Sequence, residues 1–538
     1  MGDNISLHHN QWETNHDGIG RIKVGSVPLP ESIQLLNGTY TYSGTVLVAY
    51  KTDKDADIED FYNVAILDDD GTNFRVIFSD VIPTKPKANG IRFMPFQDNK
   101  RILLGDYVLD CSPDIDNCTA AKLVPVIYPA IIVEDDNTTH VWSEIIIAPD
   151  NKHMSWTILR AGGGAAAIGE LVRNTDAYSI EKAQLISTVT AYKEDLDNPG
   201  FVVPQPSRGG EVKQFIRGGN AISVVGAKHS ATTDSIIQDL TSEELTQITF
   251  TPGYDETTIL SPDERLGIVM SSRFSPKTDP AIFGLMPRPY GPLSTAGMMW
   301  SMYTYAISGV RNFRKGNIGP ALIDIDRSMN EPGYKGIQLT TDEDWVYVSP
   351  ISWHPSSKRG MWLEMKRGSG GSQMRLQRVS LLDYQPGPAI PIVTTTDDIP
   401  YGVKDLSVLN KVDPITEGKI KGKKSGYISF SRKSKGHSGK SVVEYINFSD
   451  DGVNFYNGYE KAHYDLTGEN RFEAKVKLTG EKEGEMSFRV VFSAIFGSDS
   501  SGLLPSKLLF ELDADGKPKS YGFAQYDGVR LNIEDLLE

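Results

Sequence analysis

The sequence predicts an all-β protein built around a β-propeller, and three observations support this prediction. The apolar segments are short and rich in β-branched and aromatic residues, as strands are. Clusters of Gly, Pro, Asn and Asp interrupt these segments at close intervals. One phrase also recurs along the chain, most clearly as ILSPDERLGIVMSSRF at 259–274, where a polar turn separates two apolar runs. This pattern is typical of a hairpin between two half-buried strands.

Five copies of the phrase, each aligned on a proline, predict the blades of the propeller. They read FMPFQDNKRILLGD at Pro95, IAPDNKHMSWTILR at Pro149, VPQPSRGGEVKQFIR at Pro206, LSPDERLGIVMSSR at Pro262 and WHPSSKRGMWLEMK at Pro355. The first four follow one another at roughly 55 residues, slightly more than one four-stranded blade needs. Because strand-like sequence also precedes the first copy, we predict six blades over residues 38–407, with seven as the alternative.

The two ends of the chain differ in character from the repeat. Residues 1–37 are interpreted as an N-terminal extension. After a basic, glycine-rich linker, residues 408–538 contain alternating strands such as SVVEYINFSDDG and RFEAKVKL. This alternation predicts a C-terminal β-rich domain of β-sandwich type. Alternatively, these strands belong to the closure of the propeller.

Composition excludes several classes of partner. The 538 residues include 70 acidic and 55 basic side chains, for a net charge of -15. A general electrostatic attraction to nucleic acid or to an anionic membrane is therefore not expected. The longest apolar stretch, KLVPVIYPAIIVE, is shorter than the roughly 20 residues that a membrane-spanning helix requires. We expect neither nucleic acid nor membrane as a partner, and the sequence leaves the oligomeric state open.

Location is argued from weaker features. The N-terminus shows no apolar signal segment, as expected for a chain that begins after a removed one. Potential glycosylation sites favour an extracellular protein, with a cytoplasmic one as the alternative; they are Asn4, Asn37, Asn117, Asn137 and Asn447. Cys111 and Cys118 flank a turn-rich spacer, and the sequence leaves open whether they form a disulfide.

A shared position in the repeat predicts an anion site. Eleven residues after each aligned proline, where the second strand of the hairpin should end, stand Asp106, Arg160, Arg217, Arg273 and Lys366. Four of the five are basic in a chain that is acidic overall. If these ends gather around the central channel, the cations would hold a carboxylate or a sulfate through charge-assisted bonds. The alternative is that each cation pairs with an acidic neighbour on an adjacent blade.

Carboxylates predict the chemistry of the site. Glu144, in HVWSEIII, and Asp255 and Glu256, in GYDETTIL, lead into the inner strands and should open onto the same face as the cations. Two carboxyl groups across a channel can act as general acid and as base or nucleophile in glycoside cleavage. Further candidates for substrate contact are His140, Trp142, Tyr254, His229, Arg288 and Trp353. No paired histidine spacing indicates a metal, and no phosphate-binding loop indicates a cofactor.

The repeat also resembles known families. ILSPDERLGIVMSSRFSP and IIIAPDNKHMSWTIL resemble the TolB-type repeat, which implies a TolB-like propeller over roughly 40–407. Together with GLMPRPYGPL and NFSDDGVNFYNGYEKA, most of the chain resembles the fungal saponin hydrolase family and its relatives. That resemblance implies hydrolysis of a glucuronide linkage in a triterpenoid saponin, an activity of the β-glucuronidase type. It places no catalytic residue on this chain.

Three functions remain open at this point. The first is a glycoside hydrolase for uronic-acid conjugates, in which the arginines hold the uronate and Glu144 or Glu256 protonates the leaving oxygen. The second is a polysaccharide lyase on the same scaffold, in which His or Tyr removes the proton beside the uronate. The third is a propeller that binds glycans or proteins without catalysis, because a fold alone does not assign a function.

Overall fold

The computed structural model describes residues 11–12, 18–83, 93–129, 144–160, 163–228, 232–275, 281–290, 305, 318–340, 342–410, 415–435, 438–465, 467–497, 504 and 506–536. Strands dominate these residues, which confirms the all-β prediction. The helical elements are one six-residue α-helix, α1 (Ile325–Asn330), and short 3₁₀ turns at Arg217–Gly219, Ala281–Phe283, Leu406–Asn410 and Ile533–Leu536. None of the helices in these ranges is both long and apolar enough to cross a bilayer.

Six antiparallel sheets follow one another along the described chain, after β1 (Gln11–Trp12) and β2 (Ile22–Ser26). The first contains β3 (Gln34–Tyr40), β4 (Val46–Lys51), β5 (Phe61–Leu67) and β6 (Arg75–Val81). The second contains β7 (Phe93–Pro95), β8 (Arg101–Leu104), β9 (Tyr107–Ser112) and β10 (Ala120–Ile127). The third contains β11 (Ile145–Ile147), β12 (His153–Arg160), β13 (Gly163–Arg173) and β14 (Tyr178–Leu185). The outer strands of the second and third sheets, β10 and β14, also pair in parallel.

A small hairpin of β15 (Tyr192–Glu194) and β16 (Val202–Pro204) precedes the remaining sheets. The fourth contains β17 (Glu211–Ile216), β18 (Ala221–Gly226), β19 (Asp234–Asp239) and β20 (Leu245–Gln247). The fifth contains β21 (Asp255–Leu260), β22 (Leu266–Ser271), β23 (Gly319–Asp324) and β24 (Ile337–Gln338). The sixth contains β25 (Trp345–Trp353), β26 (Arg359–Lys366) and β27 (Met374–Leu381), to which β2 adds as the next strand.

The first strands of the sheets surround a common axis, as in a propeller. β3 contacts β7 and β25, β17 contacts β11 and β21, and β21 contacts β25. The sixth sheet takes its outer strand from the N-terminus, because Ile22 pairs with Leu381 and Ser26 with Gln377. Part of the predicted extension 1–37 therefore completes a sheet, and the first sheet already begins at Gln34. β2, near the N-terminus, thus pairs with β27, the last strand of the sixth sheet along the chain, and this pairing closes the ring.

The inner hairpins turn through one residue in the left-handed conformation. Its φ angle lies between 53° and 61° at Asn99, Asn151, Arg217, Glu264 and Ser357. These residues align the hairpins better than the prolines do. The copies at Pro149, Pro262 and Pro355 are confirmed as inner hairpins. The copy at Pro95 is also a hairpin, but its proline ends the first strand two residues before the equivalent position.

The prediction of an inner hairpin that turns at Pro206 is wrong. Pro206 precedes β17, and the turn of this hairpin is formed by Arg217 and Gly218, both with positive φ. Arg217 therefore lies at the turn end of its sheet, opposite the end where the second strand finishes. The sequence misled because Pro206 stands before Ser-Arg-Gly-Gly, which imitates the polar turn of the other copies.

The C-terminal region forms one eight-stranded sheet in simple sequential order. Its strands are β28 (Glu417–Lys421), β29 (Ser425–Lys435), β30 (Ser438–Ser449), β31 (Asn454–Asp465), β32 (Asn470–Gly480), β33 (Gly484–Phe492), β34 (Tyr521–Tyr526) and β35 (Val529–Asn532). Burial alternates along them, so one face is apolar and the other is exposed. The sandwich-like second layer is the propeller itself: Phe430 stacks on Tyr192 with ring centroids 4.4 Å apart, and Phe488 packs on Phe283 at 6.0 Å.

Cys111 and Cys118 are both buried, and both thiols are free. They lie in the second sheet and in the loop that leads into β10. Burial, with the neighbouring Cys118 thiol, raises the pKa of Cys111. The structure therefore describes the reduced pair, which the sequence left open.

Residues 384–403, here named the crossing segment, run over the turn ends of three sheets. The Tyr384 hydroxyl donates to Asp263 at 2.7 Å, the Val393 amide to the Gly218 carbonyl at 3.0 Å, and the Thr395 amide to Asp150 at 3.0 Å. The acceptors belong to the turns of the fifth, fourth and third sheets in that order. The crossing segment thus covers one end of the ring.

A histidine ties the crossing segment to the third sheet and predicts a pH effect on stability. His153 is 4 % exposed, with Nδ1 2.6 Å from Asp150 and Nε2 3.2 Å from Asp397, which Lys182 also contacts at 2.7 Å. Burial opposes the imidazolium, but both carboxylates outweigh it and raise the pKa of His153. Its contribution is therefore complete below the unfolded-state pKa of about 6.5 and is lost as pH rises through the folded-state value.

The measurement is urea unfolding of wild type and His153→Gln from pH 5 to 9. We expect the difference in free energy of unfolding between the two proteins to shrink as pH rises. A difference that stays constant across this range would contradict the assignment of the charge to His153.

Candidate functional site

A cavity of about 370 Å³ lies at the centre of the ring. All six first strands or their flanking residues line it, among them Thr39, Met94, Glu144, Ile147, Lys213, Phe215, Thr257, Ile259, Ser349 and Trp353. Ala389, Ile390 and Ile392 of the crossing segment border it at the turn end. Most of these side chains are apolar, whereas Lys213 and Glu144 place charge where the first strands begin.

Lys213 organises a buried charge cluster at that end. Its side chain is 2 % exposed, and its Nζ lies 2.9 Å from Glu211 Oε2 and 3.5 Å from Glu256 Oε1. Glu144 acts electrostatically on the same ammonium group. Burial disfavours the charge of Lys213, but the three carboxyl groups outweigh burial and raise its pKa. Lys213 is therefore held as a cation between neighbours from the third, fourth and fifth sheets.

The strands are irregular at the cluster. The pairing of β17 shifts between Val212 and Gln214, that of β21 between Asp255 and Thr258, and that of β25 between Val348 and Ile351. A β-bulge inserts an extra residue and re-aims side chains, and bulges concentrate near active sites. β3 shows a comparable shift between Leu35 and Asn37, so four first strands deviate from regular pairing, and two of them, β17 and β21, carry residues of the cluster.

Glu211 is the carboxyl group of the cluster that is best suited to hold a proton. Burial raises its pKa, the Lys213 ammonium lowers it, and repulsion from Glu256 and Glu144 raises it again, so that the net shift is upward. Its side chain is still 23 % exposed. A carboxyl group whose pKa is raised is better suited to act as a general acid than one whose pKa is not.

Glu256 has a different environment in the same cluster. Its Oε2 accepts a hydrogen bond of 3.1 Å from the Tyr254 hydroxyl, while its Oε1 faces Lys213. Two donors directed at one carboxylate position it as a base or nucleophile. Tyr347, fully buried, lies beside the same charges, and burial raises its pKa.

A hydroxyl group in the cavity wall has no protein partner. Thr257 is 4 % exposed and lines the cavity, and its Oγ1 makes no hydrogen bond within the part of the chain that the structure describes. Buried polar groups normally find a partner, since an unsatisfied one costs about 1–3 kcal/mol. The Thr257 hydroxyl is therefore an unsatisfied buried group that follows Glu256 in β21.

The structure brings together some of the residues that the sequence predicted. Glu144, Glu256 and Tyr254 all belong to the cluster at the strand-start end, as predicted, and Trp353 lines the cavity while its Nε1 donates to the Ile259 carbonyl at 2.8 Å. Their catalytic and binding roles stay predictions. Asp255 lies beside Glu256 but points elsewhere: it is fully buried and accepts hydrogen bonds from Ser271 and Arg273.

The predicted ring of cations does not form. Arg273 is 1 % exposed and pairs with Asp255 at 3.0 Å, so it stabilises the fifth sheet from within. Arg217 pairs with Asp239 at 2.7 Å at the turn end. Lys366 ends β26 with an exposed side chain, and neither it nor Asp106 lines the cavity. The backbone of Arg160 ends β12, but its side chain lies outside the described residues. The ring is absent because residues at equivalent positions of the repeat need not direct their side chains to the same place. A long basic side chain pairs with whichever carboxylate lies within its reach.

The remaining candidates lie elsewhere or outside the described residues. Arg288 is buried against the C-terminal sheet, where it pairs with Glu460 at 3.1 Å and donates to the Phe283 and Met286 carbonyls. It is a structural residue far from the channel lining. His140, Trp142 and His229 fall outside the residues that the structure describes. Within those residues, no group of three or more His, Cys, Asp or Glu side chains is arranged as a metal site.

Sequence reasoning missed Lys213 and Glu211. Both stand in GEVKQFI, which the alignment on Pro206 placed in the second strand of a hairpin instead of the first. A signal was present, since a lysine flanked by Val and Gln inside an otherwise apolar strand contradicts simple alternation. Aligned on the left-handed residue of the turn, Glu211 and Lys213 would have fallen six and four residues before Arg217, in the first strand, whose start holds Glu256 in the next sheet.

Comparisons with known proteins add a likeness of fold type. No protein-family model matches the chain, and no curated protein matches it. Among solved structures, a putative TolB from Agrobacterium tumefaciens matches at 13% identity over 62% of this chain and 92% of its own, with a TM-score of 0.29. An oligogalacturonate lyase in complex with manganese matches at 10% identity over 71% and 98%, with a TM-score of 0.37. The β-propeller domain of the trilobed protease from Pyrococcus furiosus matches at 9% over 68% and 99%, with a TM-score of 0.31. At these sequence identities and TM-scores, the likeness gives no information about activity or substrate.

Proposed function

We propose that the protein is a glycoside hydrolase whose reaction centre is the cluster of Lys213, Glu211, Glu256 and Glu144. The observation that carries the proposal is the buried Lys213 held between Glu211 and Glu256, beside register shifts in β17 and β21. The cation and its carboxyl neighbours come from three different sheets and converge where the first strands begin.

The two glutamates take different roles. Glu211 protonates the glycosidic oxygen as the bond to the anomeric carbon breaks, and the Glu256 carboxylate forms an ester with that carbon. Water then attacks the same carbon, Glu211 accepts the proton of the water, and the Glu256 carboxylate is released. Because both carboxylates contact one ammonium group, their spacing fits the ~5–5.5 Å of retaining enzymes better than the ~6.5–9.5 Å of inverting ones.

The substrate we propose is a glucuronide of an apolar aglycone. The apolar part of the cavity, with Phe215, Ile351 and Trp353, supports an apolar group beside the charged cluster. The uronic acid is supported by the resemblance to saponin hydrolases alone, because Lys213 is the cation of the described cavity lining and is already shared with two glutamates. The sugar is therefore a separable part of the proposal.

The test is a panel of 4-nitrophenyl glycosides together with triterpenoid saponins. We expect release of nitrophenol from the β-glucuronide and of the aglycone from a glucuronyl saponin. Hydrolysis of neutral glycosides alone would refute the uronic-acid part and keep the reaction class. An unsaturated uronate product would indicate a lyase, and saponin binding without any product would indicate a binding protein; either result would refute the hydrolase.

A further inference from the structure

Four basic side chains form a straight line on the exposed face of the C-terminal sheet. Lys433 pairs with Lys440 across β29 and β30, Lys440 with His463 across β30 and β31, and His463 with Arg471 across β31 and β32. Directly opposite residues project from the same face of a sheet. All four are exposed. We name them the cationic row.

The Lys433–Lys440 pair of the cationic row is electrostatically unfavourable for the fold, whereas His463, formally neutral at pH 7, separates Lys440 from Arg471. Like charges placed directly opposite each other on neighbouring strands destabilise a sheet. No side chain of the row makes an ion pair or hydrogen bond with the described part of the protein. Other basic residues of this region are compensated, as Lys519 is by Glu469 and Glu511, and Arg489 by Asp513.

The sequence around the cationic row departs from the rest of the chain. Residues 415–440 contain eight Lys or Arg against a single Glu, in a protein with a net charge of -15. Such a local reversal of sign on an acidic protein gives a positive surface that attracts anions to one place only. Because the row serves no partner within the described residues, its charges are available to a partner outside the chain.

We propose that the cationic row binds an acidic polysaccharide that lies across strands β29 to β32. Neighbouring strands are ~4.8 Å apart, so the row presents one basic group per strand along a straight, flat surface. An extended chain that carries one carboxylate per sugar ring offers charges at a comparable, sparse interval. A single phosphate or carboxylate would be met by two of the four groups and would leave the others uncompensated.

Duplex nucleic acid and anionic bilayers fit this surface less well. DNA carries one charge per ~1.7 Å of its axis and calls for a denser basic surface. Membrane association of a basic patch typically involves about 4–8 clustered Lys or Arg, whereas the row contains three, and the neighbouring row on the same face consists of Ser431, Val442, Lys461 and Glu473. The surface also lies on a different sheet from the cavity, so this inference does not depend on the proposed hydrolase activity.

The experiment is affinity electrophoresis of the full chain in gels that contain polygalacturonate, dextran, double-stranded DNA or no polymer. We expect polygalacturonate alone to retard the protein, and added salt to weaken this retardation. The triple variant Lys433→Gln, Lys440→Gln, Arg471→Gln should bind at least about 10-fold more weakly. The control Lys477→Gln, Lys482→Gln, Lys517→Gln removes the same charge at exposed positions of the same region and should bind like wild type.

Stability provides a second readout that does not depend on the polymer. Because the row brings like charges together, the triple variant should unfold at the same temperature as wild type or above it. Equal loss of binding in both variants would contradict the row and indicate a general charge effect. Absence of retardation of wild type by polygalacturonate, or equal retardation by DNA or by anionic vesicles in a flotation assay, would refute the polysaccharide as the partner.

Discussion

Replacement of Glu256 by Gln is expected to lower kcat/KM for the glycoside identified by the substrate panel by about 10²–10⁴-fold. Glu256 receives the Tyr254 hydroxyl and the Lys213 ammonium group, and in the proposed reaction its carboxylate attacks the anomeric carbon. Glutamine keeps the size of the side chain but cannot attack the anomeric carbon. The loss should appear in kcat, because the substrate still occupies the cavity.

The control for this prediction is Glu244→Gln. Glu244 precedes β20 at the outer edge of the fourth sheet and has a side chain that is 60% exposed. We expect it to retain the wild-type kcat/KM. If Glu256→Gln kept full activity while folded, or if Glu244→Gln lost activity equally, the assignment of Glu256 would be wrong.

Glu211→Gln should behave differently from Glu256→Gln. Because Glu211 is proposed to protonate the leaving oxygen, its loss should be severe for a saponin and mild for a nitrophenyl glycoside, whose leaving group needs little protonation. Burial raises the pKa of Glu211, so wild-type activity should fall as pH rises through this raised pKa and the acid loses its proton. The alkaline limb of the pH profile should be absent from Glu211→Gln.

Replacement of Arg288 by Met is expected to lower the free energy of unfolding by about 3–5 kcal/mol. Arg288 and Glu460 are each 1 % exposed, and the guanidinium also donates to the Phe283 and Met286 carbonyls. Removing the cation leaves the Glu460 charge buried, with a hydrogen bond of 2.8 Å from the Tyr445 hydroxyl. The cost is therefore dominated by an uncompensated buried charge.

Urea unfolding followed by circular dichroism measures this effect. Arg327→Met is the control, since Arg327 forms an exposed i,i+4 pair with Glu331 and such pairs contribute only about 0.3–0.5 kcal/mol. The double variant Arg288→Met, Glu460→Leu should recover part of the lost stability, because two apolar side chains replace the pair without leaving a charge behind. A loss below about 1 kcal/mol in Arg288→Met would contradict the structural role of this pair.

The all-β fold class could be predicted from the sequence because apolar alternation and turn residues, which specify strands and turns, are visible within short segments. The hairpin at Pro262 is read correctly, since apolar alternation and a polar turn suffice to specify two paired strands. Proline, however, is a poor landmark for register. The feature that recurs in these turns is one residue with a positive φ angle. Arg217, Glu264 and Ser357 adopt this conformation as well as Asn does. Residue identity did not reveal this position.

The candidate site was predicted only in part, for a different physical reason. Glu144 and Glu256 were found because they stand at the start of inner strands, Glu144 just before β11 and Glu256 as the second residue of β21, and inner strands always begin at the same end of a propeller. Lys213 was missed because the register of its hairpin was misread and because a bulge, which depends on tertiary context, turns it into the cluster. The pairing of Arg273 with Asp255 is likewise a matter of packing between neighbouring strands. Charge patterns along a sequence do not distinguish a cation aimed at a ligand from one aimed at its own sheet.

The most direct test of the reaction centre is covalent labelling with the 2-deoxy-2-fluoro glycosyl fluoride of the sugar that the panel identifies. Such a reagent forms a slowly hydrolysed ester with the nucleophile of a retaining glycosidase. We predict that mass spectrometry of the digested protein will find one label, on Glu256 in β21, and that Glu256→Gln will remain unlabelled. A label on an acid outside the channel, or a hydrolytically active protein that takes up no label, would contradict the account.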